Sequence, residues 1–104
     1  MLSRTADHLF WMSRYIERAE SLARLLDVTW QMSLVPQSLA AANQNWNAII
    51  ALNSLEEKFA DRYSAVNAEN VLRFMVGDTG NHASILSCLR LTRENAHAVR
   101  GTIT

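Results

Sequence analysis

The chain has 104 residues, 49% of them hydrophobic, with three Gly, one Pro and one Cys, and its ten basic residues balance ten acidic ones. So little Gly and Pro excludes a turn-rich β-sandwich or barrel and favours helices, and zero net charge argues against a general nucleic-acid binder, which carries a strongly basic face. A single Cys allows neither an internal disulfide nor a four-thiolate zinc site, and makes a reducing cytoplasm the expected compartment.

The first residues place Arg4, Asp7 and His8 where a signal peptide needs its apolar core. From Ser3 to about Val35 there is neither Gly nor Pro, and Pro36 ends the run. Positions 2, 5, 9, 12, 16, 19, 23, 26, 30 and 33 read Leu, Thr, Leu, Met, Ile, Ala, Ala, Leu, Trp, Ser, the 3–4 spacing of a helix-packing seam. A second stripe, Trp11, Tyr15, Arg18, Leu22, Leu25 and Met32, adjoins it. Together they form an apolar arc of roughly 160°. A helix of this length is a rod of roughly 50 Å, whereas a compact chain of about 100 residues has a radius of gyration near ~13 Å. Part of the rod is therefore expected to meet a second copy, a partner or further parts of the same protein.

Gln37 to Gln44 reads as a polar, Ala-rich connection. A second helix is predicted from near Asn45 to about Arg62, burying Ala48, Leu52, Leu55 and Phe59. The apolar run 48–52 is far shorter than the ~18 residues that span a bilayer, so no membrane segment is expected. Asn67 is the expected cap of a short third helix, Ala68 to Val76, stopped by Gly77. After the turn from Gly77 to Gly80, Asn81 is the expected cap of a fourth helix with the seam Ile85, Leu89, Thr92, Ala96, Val99 and Ile103. Trp11, Trp30 and Trp46 fall on helical stripes and read as core or interface residues.

Two segments carry candidate chemistry. In the first, Arg14, Glu17, Arg18 and Glu20 precede Arg24; Glu20–Arg24 and Arg14–Glu17 are spaced for ion pairs, and Arg18 lies among apolar neighbours where a guanidinium needs a carboxylate or a ligand. In the second, Arg90, Arg93, His97 and Arg100 form a basic stripe suited to a phosphate, a carboxylate or an acidic partner, with Glu94 one step off it. A solvated, ion-paired face is the alternative for both. Glu94-Asn95-Ala96-His97 has the E-x-x-H spacing of di-iron bundles, but such sites need two copies and two further carboxylates, so no metal is expected. Cys88 reads as a small buried thiol.

These segments together resemble the bacterial alpha-E domain family, named for helices bearing a Glu-Arg motif. The likeness runs through Met1-Leu2-Ser3-Arg4, Ala6-Asp7, Trp11-Met12, Arg14 to Glu20 and Ala23 to Val28. It resumes at Phe74 to Asp78, Asn81, Ser84-Ile85, Cys88-Leu89 and Arg93 to Arg100, while 35–71 carries little of it. His82-Ala83 stands where such sequences usually have a Pro-containing cap. Family members are usually about three times this length, so the resemblance implies either a single helical domain over 1–104 or the N-terminal fragment of a larger one. It also implies association with a circularly permuted ATP-grasp ligase and a transglutaminase-like protein, in peptide synthesis or modification. Arg14, Glu17, Arg18, Glu20, Arg93, Glu94, Asn95 and Arg100 are its motif members, without assigned roles.

The expectation is an all-α bundle of three long helices and one short helix, completed by dimerisation or by C-terminal helices beyond the pattern. In it the two Glu/Arg segments form one polar cluster between the first and fourth helices. The expected function is that of a cytoplasmic accessory or interaction protein without cofactor, acting as a homodimer. The alternative is an enzyme with Glu17 or Glu94 as general base and the arginines holding a phosphorylated or carboxylate peptide-like substrate.

Overall fold

With no breaker in its sequence, the first segment forms one helix, α1, from Leu2 to Ser33. The computed structural model describes residues 2–100, and the described part is all α. After α1 come α2 (Leu39–Leu52), α3 (Glu56–Arg62), α4 (Ala68–Val76) and α5 (Ile85–Val99). The helical bundle is as expected, but the second helix is two, and its start is earlier.

Both differences have local causes. Ser38 caps α2, its hydroxyl accepting from the Ala41 N–H, and the Ala-rich stretch behind it is good helix former rather than connection. α2 then ends in a Schellman motif. The Ser54 N–H donates to the Ala51 carbonyl and the Leu55 N–H to the Ile50 carbonyl, both at 3.0 Å, with Ser54 in the left-handed region at φ 55°. Glycine is the usual residue there, so a serine hides the stop. Because the helix breaks here, its buried face differs from the one expected. Phe59 is buried as expected, but Ala48 and Leu52 are exposed and Leu55 is half-buried, whereas Trp46, Ile49 and Ile50 are buried.

α4 keeps its expected ends: Asn67 accepts from the Asn70 N–H at 2.9 Å, and Gly77 follows the last turn. The cap of α5 is Ser84, which accepts from the Ser87 N–H, not Asn81. Asn81 is instead fully buried. Its amide donates to the Phe74 carbonyl, its side-chain oxygen accepts from the Ala83 N–H, and its carbonyl accepts from the Ser87 hydroxyl. It thus ties the end of α4 to the start of α5.

The five helices make two unlike regions. In the first, Leu22 and Leu26 of α1 join Trp46, Ile49, Ile50, Phe59, Val71, Phe74 and Met75 in one core, so α2 and α4 pack on the C-terminal half of α1 and α3 joins them through Phe59. In the second, α5 runs antiparallel to the N-terminal half of α1 as a two-helix arm. The His8 Nδ1–H donates to Asn95 Oδ1 at 2.8 Å and fixes its register, while Asn95 Nδ2 donates to the Leu91 carbonyl. The resulting shape is 55 × 27 × 17 Å with a radius of gyration of 16.5 Å, well above the ~13 Å of a compact chain this size. The length expected of α1 is present.

Its orientation differs from the expected seam. Thr5, Leu9, Met12, Ala19, Leu26 and Ser33 do face inward and the Leu2 side chain lies outside the described residues, but His8, Tyr15, Leu22 and Thr29 take the alternate places. Ile16, Ala23 and Trp30 are turned outward, and Trp30 is 46% exposed. Two apolar stripes adjoined on α1, and the groove between its neighbours accepts only part of that arc. α5 is turned in the same way: Cys88, Leu91, Thr92, Asn95 and Val99 face in, while Leu89 and Ala96 are exposed. Ile103 lies outside the described residues.

Candidate functional site

The first motif segment sits where the core meets the arm. At 100° per residue, Arg14, Arg18, Ser21, Leu22 and Leu25 share an arc of about 100°, and with Glu17 they form one wall of a cavity of about 350 Å³. Asn53, at the C-terminal end of α2, and Ala83, just before α5, close it from the other side. The Schellman turn holds Asn53 there, with its side-chain amide donating to the Ile49 carbonyl at 2.7 Å. Arg14 Nη1 lies 3.6 Å from Glu17, an exposed i, i+3 pair. Arg18 has no carboxylate within 4.0 Å among the described residues. Its charge reaches inward to Cys88, whose thiol burial pushes up in pKa while Arg18 pulls the other way. Cys88 is buried and free, as expected.

A family model for a predicted alpha-helical domain with a conserved ER motif matches residues 1–104. The chain belongs to the Alpha-E family. The dipeptide Glu-Arg occurs in this Alpha-E sequence once, at Glu17-Arg18, and so lies in the cavity wall. No curated protein and no solved structure matches the chain.

The second segment does not join the first. Arg90, Arg93, Glu94 and His97 line one shallow hollow on α5, and Arg93, Ala96, His97 and Arg100 line another, each about 350–360 Å³. With His8 opposite Asn95, Arg93 lies near residue 10 of α1, roughly eight residues or ~12 Å along the axis from Arg18. Both arginines are exposed. The single cluster expected between the helices is therefore two separate features. Glu20 lines none of these hollows, and neither Glu20–Arg24 nor Arg90–Glu94 forms an ion pair among the described residues. Asn95 is turned toward α1 and serves register through His8.

One network escaped sequence reasoning. Buried Asp78 accepts hydrogen bonds from Arg62 Nε at 2.7 Å, the Gly80 N–H at 2.9 Å and the Tyr63 hydroxyl at 3.1 Å. Burial alone pushes the Asp78 carboxyl up, but the hydrogen bonds from Arg62, Gly80 and Tyr63 outweigh it and hold the pKa below the usual carboxylate range. The hydrogen bond to Asp78 raises Arg62, and burial raises the Tyr63 phenol. Gly80 permits this approach, since a Cβ there would stand 2.7 Å from the Arg62 guanidinium. Partners 15 and 16 residues apart leave no local pattern to find. The network clamps the end of α3 to the α4–α5 turn and reads as structure.

Among the described residues, no three His, Cys, Asp or Glu side chains gather as a metal site. No helix there is long and apolar enough to cross a membrane.

Proposed function

We propose that this Alpha-E chain is an interaction module that works beside a circularly permuted ATP-grasp ligase in peptide synthesis or modification, and that it has no catalytic activity of its own. The observation that supports the reading is the half-covered arm. Between residues 3 and 18 no side chain of α1 is fully buried, and Phe10 (54% exposed), Trp11 (42%) and Ile16 (37%) stand out from it. Phe10 and Trp11 pack edge to face at 5.2 Å, and Trp11 leans on Tyr15. Aromatic side chains grouped on a surface are the usual anchors of a protein interface. The basic stripe Arg90–Arg93–His97–Arg100 on α5 offers an acidic partner its charged rim. In the absence of that partner the same apolar face closes a homodimer.

The enzyme reading asks for both Glu/Arg segments in one concave site, and they line separate ones. The interaction reading is tested by co-purifying the protein with a circularly permuted ATP-grasp protein and a transglutaminase-like protein from the same cell. Retention of the ATP-grasp protein, lost in Phe10→Ser/Trp11→Ser and weakened in Arg93→Ala, is the expected result. Failure to retain either protein, or equal retention by the surface variants, contradicts it.

A further inference from the structure

We propose that the cavity beside Glu17-Arg18 is a binding site for a small monocarboxylate with a short apolar body. Arg14 and Arg18 stand one helical turn apart on the same side of α1, with the Ser21 hydroxyl one turn further on. Two planar guanidiniums and a hydroxyl in a row are donors matched to an oxyanion. Across the gap, Asn53 spends one amide N–H on the Ile49 carbonyl and keeps a second N–H and its oxygen for a ligand. Four polar groups from two elements therefore face one concave space.

Charge then selects the class of oxyanion. Glu17 lies 3.6 Å from Arg14 and offsets that guanidinium, whereas Arg18 has no carboxylate partner among the described residues. The wall is left with a net charge of one, which one carboxylate neutralises and a dianionic phosphate exceeds. The apolar end of the wall selects the remainder of the ligand. Leu22 is buried and Leu25 half-buried, and both line the cavity further along α1 from the arginines. A volume of about 350 Å³ lies at the small end of ligand sites. That space fits a branched aliphatic acid or the terminal residue of a chain, with its head on Arg18 and its body on the leucines.

The site is independent of the aromatic face on the arm, so the two readings can fail separately. Titration of the isolated chain with 4-methylpentanoate, followed by ¹H–¹⁵N NMR, tests it without any partner. Saturable shifts are expected at the Arg14 and Arg18 Nε–H, the Asn53 amide group and the Ser21 and Ala83 backbone amides. Arg18→Gln is expected to weaken binding by roughly tenfold or more, because a charge-assisted hydrogen bond is lost. Glu17→Gln is expected to tighten it, by releasing Arg14. Both residues are exposed, and a thermal melt checks that each variant folds. Equal binding of the neutral analogue 4-methylpentan-1-ol, tighter binding of inorganic phosphate, or unchanged affinity in Arg18→Gln would overturn the assignment.

Discussion

The two halves of α1 belong to one unbroken helix but live in different surroundings. From Ala19 onward, Ala19, Leu22, Leu26 and Thr29 are buried, and Leu22 and Leu26 belong to a core that includes Trp46, Phe74 and Met75. Before Ala19 the helix lies along α5, and its inward residues, such as His8, Met12 and Tyr15, are only partly covered. The first half is held by a single face and a side-chain hydrogen bond, the second by a closed apolar cluster. Helical continuity therefore says little about stability, which follows from how many sides of the helix are covered.

The largest effect that separates the regions is core truncation. Phe74→Ala removes a fully buried ring that packs edge-on against Phe59 and Tyr63, and is expected to cost about 3–5 kcal/mol in urea denaturation. Trp11→Ala, on the arm, is expected to change stability by less than about 1 kcal/mol. A similar loss in both would erase the distinction. Next comes Asn81→Ala, which strips partners from the Phe74 carbonyl and the Ala83 N–H. It is expected to cost about 1–3 kcal/mol, read as a lower denaturation midpoint.

Ser54→Gly should act in the opposite direction. It relieves a left-handed serine at φ 55° and is expected to add about 1 kcal/mol, seen as a higher melting temperature. The smallest effect is that of pH on the Asp78 clamp. Since the folded-state pKa of Asp78 is lowered, its stabilising contribution is complete at neutral pH and is lost as the pH falls below the ordinary carboxylate range through the lowered value. Asp78→Asn is expected to remove that part of the acid dependence of the melting temperature, and an unchanged acid profile counts against the clamp.

What was legible in the sequence was what is local. The uninterrupted run to Val35 announced α1 and the elongated shape, Asn67 and Gly77 marked α4, and Arg14–Glu17 could be paired from spacing alone. The α2–α3 break was hidden because Ser54 occupies a position normally marked by glycine. The inward face of α1 was ambiguous because its apolar arc is broader than one groove, so the neighbours chose between Ile16 and Tyr15. The wall of the cavity was visible as a motif, but Asn53 and Ala83 reach it only through tertiary structure. The His8–Asn95 bond, which gives Asn95 its place, joins residues 87 apart and has no trace in local periodicity.

The central claim is that the arm is an incompletely covered helix pair attached to a closed core. Native-state hydrogen exchange on the dilute chain tests it most directly, by comparing amides of residues 8–15 and 91–98 with those of Leu22, Leu26, Ile50 and Phe74. The arm amides are expected to open together at a lower free energy than the core, which exchanges only by global unfolding. Equal protection in the two regions would contradict it.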